Sequence, residues 1–526
     1  MRKIWSWFVS CVVLSLMAVP AMAGGFSGSY QRIPGWNGAD IGAFVMVPKD
    51  QGPGPFPLLV MPGSWGAPNL EYVGRGGVLA SQGYIVVSYT SRGFWDSTGL
   101  IDIAGPDTIE DVSSVIDWAL THTPADANKI GASGISYGAG ISLLAAERDP
   151  RIKAVAALSG WSDLEASLYA NRTVSQQGAG LLVLAGSVTG RPGPELAGAT
   201  ARIALGDFDG AVAGLLPVVP QRSAITDVAA MNRNGTAVLL ANAFNDSLFP
   251  PGQYIDFYNR LTGPKQLMFA HGDHGIVEGP GAIGLPNEVY DAVGRWFDHY
   301  LKGANNGVER ESPLRLKSQD GDWRGYADWN AVQRGATVFA LSRPSGLIAP
   351  TGDLQSAPST GWNHSILTGL PTVADSGLVF ISGFLQALQI APQASIPLVA
   401  RAGAGVWQTP ISWTSQQLSG MPQLHVTVTP SQSEVTLIAY LYSVDLLGNG
   451  SLLSHKPYSL RGARPGVAQT IDLRLEATSW DIPAGRRLVL VVDTMDPRYT
   501  TASRIGGTVS FSSPASNPST LTVPLH

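Results

Sequence analysis

Short apolar runs alternate with amphipathic stretches between about Gly35 and Gly303. Phe56–Met61 and Tyr84–Tyr89 are apolar or uncharged at consecutive positions, which predicts strands buried on both faces of a sheet. Asp107–His122 instead carries apolar residues at helical spacing, which predicts a helix with one buried face. Strands that alternate with helices in this way predict a parallel sheet covered by helices on both sides.

Four later apolar runs extend the pattern and predict further strands: Ile130–Ser133, Ile152–Leu158, Thr236–Ala243 and Lys265–Ala270. From Ser162 to about Val228 these runs stop, and segments rich in Ala, Gly and Leu predict helices. We interpret this stretch as a helical cap inserted over the ligand-binding end of the sheet. An irregular part of the core is the alternative interpretation.

Helical periodicity ends at about Asn306, where short strand-like runs between turn signals replace it. Gln423–Thr429, for example, alternates apolar and polar residues, and Asn449-Gly450 predicts a hairpin turn. We therefore expect a C-terminal all-β sandwich of the jelly-roll type. The predicted fold class is an α/β core with a helical cap, followed by this β domain.

The N-terminus has the features of a secretory signal peptide. Arg2 and Lys3 precede the apolar run Phe8–Val19, and Ala21-Met22-Ala23 provides a small-x-small cleavage site. The run is short for a membrane span, so an uncleaved anchor is the less favoured alternative. We expect cleavage before Gly24 and a secreted or periplasmic protein that does not insert into the membrane afterwards.

The mature chain would carry 32 basic and 39 acidic residues, a net charge of −7, and no cysteine, because Cys11 lies in the signal. It would then have no disulfide and no thiol nucleophile. The mild negative charge and the lack of basic runs argue against a nucleic-acid partner. We expect no metal and no cofactor, and the oligomeric state is left open. The expected organisation is a signal peptide (1–23), a catalytic domain (24–161 and 229–305), a cap (162–228) and a β-sandwich domain (306–526).

The segment Gly134-Ile-Ser136-Tyr-Gly138 has the G-x-S-x-G spacing of a nucleophile elbow. In this tight turn the glycines avoid steric collisions, and the serine hydroxyl is exposed for attack on a carbonyl carbon. Glycine occupies 61 of 526 positions, so the spacing alone also fits a turn without chemistry. The position between a predicted strand and the predicted helix Ala139–Arg148 favours Ser136 as a nucleophile.

The chain order of an α/β-hydrolase triad, which is Ser, acid, His, can be tested on the eight histidines. After Ser136, His271 and His274 are the two that closely follow a predicted strand of the sheet. We favour His274 as the base, because it lies in a glycine-flanked loop, and place His271 second. Asp246 follows the preceding strand and would accept the Nδ1 proton of His274. A helix-capping role is the alternative for Asp246.

A zinc site is a rival interpretation of His271, Asp273 and His274, with Asp246 as a further ligand. Histidines three residues apart in a glycine-containing loop lack the rigid spacing of a ligand pair on a helix. We therefore favour the triad over a metal site.

The oxyanion of the tetrahedral intermediate needs preorganised hydrogen-bond donors. One candidate is the backbone N–H of Tyr137, directly after the nucleophile. The other is the backbone N–H of Ser64 or of Trp65, in the loop after the first buried strand. Simple packing is the alternative role for Trp65.

Taken in order, these residues resemble the Xaa-Pro dipeptidyl-peptidase and cocaine-esterase family of α/β-hydrolases. Besides the elbow, the resemblance rests on four further motifs: Arg92–Gly99, Arg295–Gly303, Leu418–Pro422 and Tyr442–Asp445. It covers nearly the whole mature chain. It implies that Ser136 is the nucleophile, His274 the acid and base, and Asp246 the residue that orients His274. It also implies that the cap and the jelly roll wall the active-site cleft.

Two departures from the family concern substrate recognition. The loop Gly63-Ser-Trp-Gly66 lacks the tyrosine whose hydroxyl cocaine esterase uses, so the Ser64 hydroxyl, the Trp65 indole or the backbone alone would have to serve. Ser247-Leu-Phe-Pro250 follows Asp246, where related α-amino-acid ester hydrolases carry acidic residues. Asp163 and Glu165 are the remaining candidates for holding a substrate ammonium group, although a solvated loop is the favoured reading of both.

The favoured function is therefore an exported serine hydrolase that acts on a small-molecule ester or amide through an acyl-enzyme. Leu248 and Phe249 favour an uncharged acyl group. A peptidase that releases N-terminal dipeptides is the alternative within the same chemistry. A non-catalytic protein whose β-sandwich binds a glycan or a partner is the third hypothesis.

Overall fold

The computed structural model describes residues 25–319 and 321–526, so the expected signal peptide lies outside the described residues. Within those two ranges, no helix has both the length and the apolar character needed to cross a membrane. The chain forms a mixed α/β unit followed by a largely β unit.

A long mixed sheet organises the first unit. Its strands are β1 (Phe26–Pro34), β2 (Asp40–Pro48), β3 (Phe56–Pro62), β4 (Ile85–Tyr89), β5 (Ala125–Ile135), β6 (Ile152–Leu158), β7 (Ala237–Ala243), β8 (Lys265–Ala270), β9 (Leu314–Lys317) and β10 (Trp323–Tyr326). Their order across the sheet is β1-β2-β4-β3-β5-β6-β7-β8-β9-β10. The strands from β4 to β9 run parallel, whereas β1, β2 and β10 pair antiparallel with their neighbours.

Burial on both faces explains the continuous apolar runs of the central strands. Leu58 and Val60 of β3 belong to the core on one face, and Leu59 and Met61 belong to the core on the other. Because the central strands are parallel, the carboxyl ends of β5, β7 and β8 meet at one edge of the sheet, where α/β proteins place their ligands.

Helices cover both faces of this sheet, and others lie in the segment 162–228 or within the second unit. They are α1 (Val73–Ser81), α2 (Pro106–His122), α3 (Tyr137–Arg148), α4 (Leu164–Leu168), α5 (Gln176–Thr189), α6 (Pro194–Ala204), α7 (Phe208–Leu215), α8 (Val228–Asn234), α9 (Gly252–Arg260), α10 (Gly279–Ala282), α11 (Glu288–Lys302), α12 (Trp329–Gln333) and α13 (Ile381–Ala387). Helices α4 to α7 occupy the stretch 162–228, between β6 and β7, in which the sequence predicts helices.

The second unit is largely β. Its strands are β11 (Thr337–Leu341), β12 (Gly352–Gln355), β13 (Trp362–Leu367), β14 (Gln393–Ser395), β15 (Gly405–Gln408), β16 (Gln416–Gly420), β17 (Gln423–Pro430), β18 (Glu434–Val444), β19 (Asn449–Arg461), β20 (Gln469–Arg474), β21 (Thr478–Ile482), β22 (Arg487–Asp493), β23 (Thr508–Ser513) and β24 (Thr520–Val523). The main sheet has the order β13-β23-β17-β24-β11-β12-β15-β22-β18-β19-β14, with β20 on β17, and β16 pairs with β21. Leu424, Val426 and Val428 of β17 face the core, as their alternation predicts.

Two details differ from the sequence-based expectation. The first sheet continues past residue 305, because β9 pairs with β8 through Leu267 and Leu314. The hairpin between β18 and β19 turns before Asn449, which is already part of β19. The Asp445 carboxylate accepts the N–H groups of Leu447 and Asn449, and Gly448 takes a positive φ of 89°, so the turn forms at 445–448.

Candidate active site

Ser136 stands at the apex of a sharp turn between a strand and a helix. Strand β5 ends at Ile135 and helix α3 begins at Tyr137. The backbone of Ser136 has φ 59° and ψ −119°, a strained conformation that non-glycine residues rarely adopt. A Cβ atom on Gly138 would lie 2.1 Å from the carbonyl oxygen of Pro62, so this position of the elbow requires glycine.

Three side chains from three strand ends form a continuous hydrogen-bonded relay. His274 Nε2 lies 2.8 Å from Ser136 Oγ, and His274 Nδ1 lies 2.9 Å from Asp246 Oδ2. Asp246 is fixed in turn by the backbone N–H groups of Leu248 and Phe249, which donate to its Oδ1 at 2.9 and 2.7 Å. All three side chains of the relay are buried.

The charge on Asp246 determines the state of His274. Burial disfavours the imidazolium, but the attraction of Asp246 and its hydrogen bond outweigh that effect and raise the pKa of His274. In the neutral ring, the proton on Nδ1 is donated to Asp246, which leaves the Nε2 lone pair free to accept the proton of Ser136 Oγ. The relay is therefore arranged to activate a serine hydroxyl.

His271, the second candidate base, points away from the serine. Its Nε2 lies 2.6 Å from the carbonyl oxygen of Ser479 in β21, and Gln386 of α13 contacts its Nδ1 at 3.2 Å. Burial lowers the pKa of His271 to about 4, so the ring is neutral and donates from Nε2. His271 thus links the catalytic sheet to the β unit.

Two residues of the rival zinc interpretation, Asp273 and His274, have hydrogen-bond partners of their own. Asp273 Oδ1 accepts the backbone N–H groups of Ser247 and His274, and the ring nitrogens of His274 are engaged by the relay. Nowhere in residues 25–319 and 321–526 do three or more His, Cys, Asp or Glu side chains form a group that could hold a metal ion.

The loop Gly63–Gly66, called the oxyanion loop below, is expected from the sequence to supply a backbone donor from Ser64 or Trp65, and the structure excludes Ser64. The N–H of Ser64 donates to Glu71 Oε2 at 2.7 Å, and the Ser64 hydroxyl lies 2.6 Å from Glu71 Oε1. Ser64 is therefore not available as an oxyanion donor, which corrects the expectation for this residue. The indole N–H of Trp65 is also used, because it donates to the carbonyl oxygen of Leu182 at 2.9 Å.

Two backbone donors remain for the oxyanion. The N–H of Trp65 has no acceptor in the part of the chain that the structure describes. Tyr137 is the first residue of α3, so its N–H has no partner within the helix. The Trp65 and Tyr137 rings meet edge to face with 5.0 Å between their centroids, and both residues line the cavity that contains Ser136.

Ser136 opens onto a cavity of about 130 Å³ whose walls are almost entirely apolar. Its lining comes from the elbow, from the oxyanion loop and from helices α4 to α7, and includes Trp161, Leu164, Leu182, Val183, Leu196 and Val219. Phe249 also lines the cavity and contacts the His274 ring with 5.2 Å between centroids. Leu248, the other residue expected near the acyl group, is buried but does not line this cavity.

The two candidate ammonium ligands differ in position. Asp163 caps helix α4 by accepting the N–H of Ala166 at 3.0 Å. Glu165 lies on the cavity wall with its side chain exposed.

Two glutamates near the relay are not identifiable from the sequence. Glu278 is fully buried and accepts a hydrogen bond from Ser159 Oγ at 3.0 Å, and burial raises its pKa to about 7. Glu71 supports the oxyanion loop through Ser64. Neither residue belongs to a recognisable motif, because the contacts depend on how separate loops fold together.

Comparison with known proteins agrees with this architecture. Residues 37–276 match the family model of X-Pro dipeptidyl-peptidase (S15 family), and residues 306–518 match that of the X-Pro dipeptidyl-peptidase C-terminal non-catalytic domain. A protein of Bacillus anthracis, provisionally named an Xaa-Pro dipeptidyl-peptidase, is 20% identical over an alignment of 476 positions that covers 84% of this chain and 74% of that protein.

Solved structures support the fold. An aminopeptidase from the marine sediment archaeon Thaumarchaeota archaeon has a TM-score of 0.75 at 14% identity, covering 95% of this chain and 96% of that one. An α-amino acid ester hydrolase, labelled with selenomethionine, has a TM-score of 0.74 at 14% identity, covering 96% and 98%. The α/β-hydrolase sheet followed by a largely β domain is thus confirmed. The chain belongs to the X-Pro dipeptidyl-peptidase (S15) family and is a serine hydrolase.

Proposed function

We propose that this hydrolase cleaves esters or amides of uncharged, apolar acyl groups through an acyl-enzyme on Ser136. The observation that carries the proposal is the opening of the Ser136–His274–Asp246 relay directly onto an apolar cavity. A substrate carbonyl placed above Ser136 would direct its acyl chain among the apolar side chains of the helices between β6 and β7.

The relay assigns a role to each group. Ser136 Oγ attacks the carbonyl carbon while His274 Nε2 takes its proton, and Asp246 stabilises the imidazolium. The N–H groups of Tyr137 and Trp65 receive the oxyanion. His274 then donates the proton to the leaving alcohol or amine, and the acyl group stays on Ser136. A water molecule, deprotonated by His274, releases the acid by the same steps in reverse order.

The apolar cavity predicts how the efficiency of hydrolysis depends on the length of the acyl chain. Each buried methylene contributes about 0.8 kcal/mol, or roughly fourfold in affinity. Hydrolysis of p-nitrophenyl esters should therefore become more efficient from acetate through butyrate to octanoate. The comparison is kcat/KM across this series and for Xaa-Pro p-nitroanilides, with Ser136→Ala as the control. A protein that cleaves the anilides and ignores every ester would overturn the proposal.

Release of N-terminal Xaa-Pro dipeptides is the second candidate. The family match and the position of Glu165 on the cavity wall favour it, because an exposed carboxylate at the cavity can pair with a peptide ammonium group. In that case Glu165→Gln would raise KM for Gly-Pro p-nitroanilide and leave the uncharged esters unaffected. Equal effects on both substrates would remove this candidate.

We also propose that the protein is exported and cleaved before Gly24. Support comes from the charged start, the apolar run and the cleavage site of the first 23 residues. N-terminal sequencing of the mature protein from a fractionated culture tests this. A protein that retains Met1 in the cytoplasmic fraction would contradict it.

A further inference from the structure

Ser64 and Glu71 form a close pair beneath the oxyanion loop. Glu71 receives the Ser64 N–H on Oε2 at 2.7 Å and faces the Ser64 hydroxyl with Oε1 at 2.6 Å. The same hydroxyl lies 3.0 Å from the carbonyl oxygen of Ile135. Ser64 therefore connects Glu71 to the residue that directly precedes the nucleophile.

The other polar group of Ile135 is held by the same stretch of chain. Its N–H donates to the Tyr72 hydroxyl at 2.8 Å. Ser64, Glu71, Tyr72 and Ile135 are called the oxyanion clamp below. One end of the clamp adjoins Trp65, and the other adjoins Ser136 and Tyr137. The clamp thus fixes the distance between the two loops that carry the free backbone donors.

The protonation state of Glu71 decides which hydrogen bonds the Ser64 hydroxyl can make. The Ser64 hydroxyl has one proton but faces two acceptors, Glu71 Oε1 and the Ile135 carbonyl oxygen. If Glu71 carries a proton on Oε1, it donates to Ser64 Oγ, and Ser64 donates its own proton to Ile135. If Glu71 is ionised, it takes the Ser64 proton, and the Ile135 carbonyl oxygen loses this bond.

We propose that Glu71 is a positioning residue of the oxyanion hole and that it performs this role in its protonated form. The inference rests on the proposed acyl transfer at Ser136. A neutral Glu71 leaves the Ser64 hydroxyl free to donate to the Ile135 carbonyl oxygen. An ionised Glu71 breaks the link to Ile135 and places a negative charge behind the loop that must stabilise a second negative charge. Its ionisation should therefore slow the formation of the oxyanion.

The surroundings of Glu71 favour the neutral acid. Desolvation raises its pKa to about 7, against the hydrogen bonds from Ser64 and Tyr72. The groups that face it are the Tyr72 phenol on its own loop and the Tyr290 phenol of α11, and burial raises the pKa of both. Beyond Tyr290 lie Arg75, 4.6 Å from its ring centroid, and Glu278. Both tyrosines thus stay neutral where Glu71 titrates.

The test compares Glu71→Gln with Glu71→Ala. The glutamine amide can donate to Ser64 Oγ and its carbonyl oxygen can accept the Ser64 N–H, so it imitates the protonated acid permanently. Alanine removes both contacts. The matched control is Glu147→Gln in α3, which replaces another partly buried glutamate whose pKa burial raises to about 9.

The readout is kcat for p-nitrophenyl acetate between pH 5.5 and 9. Deprotonation of His274 acts on all of these proteins alike, so each kcat is divided by that of Glu71→Gln at the same pH. For the wild type and Glu147→Gln this ratio should fall as the pH rises through Glu71 ionisation near 7. Glu71→Gln itself should stay within about threefold of the wild type at pH 6.5. Glu71→Ala should lose at least about tenfold in kcat at every pH, with little change in KM, because a misplaced oxyanion donor weakens the transition state alone.

Three results would overturn the inference: a ratio of wild-type kcat to Glu71→Gln kcat that does not change with pH, a Glu71→Gln variant as impaired as Glu71→Ala, or full kcat in a folded Glu71→Ala. Labelling of Ser136 with a fluorophosphonate separates these results from failure of the proposed function. A wild type that does not react with the probe refutes the acyl-transfer mechanism itself. A wild type that reacts, combined with any of the three results, refutes the clamp alone.

Discussion

His271 contacts the carbonyl oxygen of Ser479 at 2.6 Å through Nε2, although His271 stands only three residues before the relay histidine. Ser479 is fully buried in β21, and the contact joins the loop after β8 to the β unit. Two histidines of one loop thus have different tasks: His274 faces the serine, and His271 faces the other domain.

Replacing His271 with Ala should reduce stability and spare catalysis. The change leaves a buried carbonyl oxygen without its donor, which costs about 1–3 kcal/mol. We expect a lower Tm and ester hydrolysis within about threefold of the wild type, because the relay keeps its geometry. The control is His122→Ala on the exposed end of α2, which should change neither quantity. An inactive His271→Ala enzyme with an unchanged Tm would show that His271 belongs to the catalytic machinery.

Asp246→Asn should nearly abolish hydrolysis. Asparagine cannot hold His274 with a proton on Nδ1 or stabilise the imidazolium, and losing this role in a serine triad costs about 10⁴-fold in kcat. The folded enzyme should persist, because the asparagine side-chain oxygen can still accept the N–H groups that Asp246 receives from Leu248 and Phe249. Activity within tenfold of the wild type would contradict the assignment of Asp246.

Asp246 and His274 also determine how kcat/KM depends on pH. Asp246 raises the pKa of His274 above its usual value of 6.5, and protonated His274 cannot accept the Ser136 proton. The wild-type kcat/KM should therefore fall as the pH decreases through a value above 6.5. For the small residual activity of Asp246→Asn, the same fall should occur at a lower pH, because the Asp246 charge no longer raises the pKa of His274. A wild-type acid limb well below pH 6.5 would contradict the electrostatic account of the relay.

The apolar cavity predicts a shift in chain-length preference when α5 is altered. Ala179 lines the cavity, so Ala179→Trp should fill space that a long acyl chain would occupy. We expect kcat/KM for p-nitrophenyl octanoate to drop by about tenfold or more and that for the acetate to change little. Ser187→Trp, at an exposed position of α5, is the matched control. An equal loss on both esters would show that acyl chains do not enter this cavity.

Replacing Arg92 should lower the stability of the folded protein rather than impair catalysis directly. Its guanidinium binds the buried carboxylate of Asp111 in α2 with two contacts of 2.7 Å, and it also donates to the carbonyl oxygen of Trp36. Arg92→Met leaves Asp111 buried without its counter-charge, which costs about 3–5 kcal/mol. The double variant Arg92→Met/Asp111→Leu should recover part of the lost Tm in calorimetry. A double variant that is less stable than Arg92→Met alone would show that the unpaired charge of Asp111 does not cause the loss of stability.

The sequence predicts the relay well because each of its residues follows a strand that hydrophobic patterning identifies. Ser136, Asp246 and His274 are separated by many residues, yet parallel strands bring their carboxyl ends to one edge of the sheet. The helices between β6 and β7 and the β strands near the C-terminus follow from composition and alternation in the same way.

The oxyanion loop is where prediction from sequence fails. The sequence gives no reason to prefer either of the adjacent residues Ser64 and Trp65 as the backbone donor. The choice depends on Glu71, which stands seven positions after Ser64 and occupies its N–H. The same holds for His271, whose partner in β21 lies about 200 residues later in the chain. Such contacts depend on tertiary packing, for which local patterns carry no signal.

The central claim is that Ser136, activated by His274, forms an acyl-enzyme. The most direct measurement is mass spectrometry of the intact protein after exposure to a fluorophosphonate probe, for the wild type, Ser136→Ala and a Ser187→Ala control at an exposed position. We predict one adduct on the wild type and on Ser187→Ala, located at Ser136 by peptide mapping, and none on Ser136→Ala. An adduct on Ser136→Ala equal to that of the wild type, or no adduct on any of the proteins, would contradict the account.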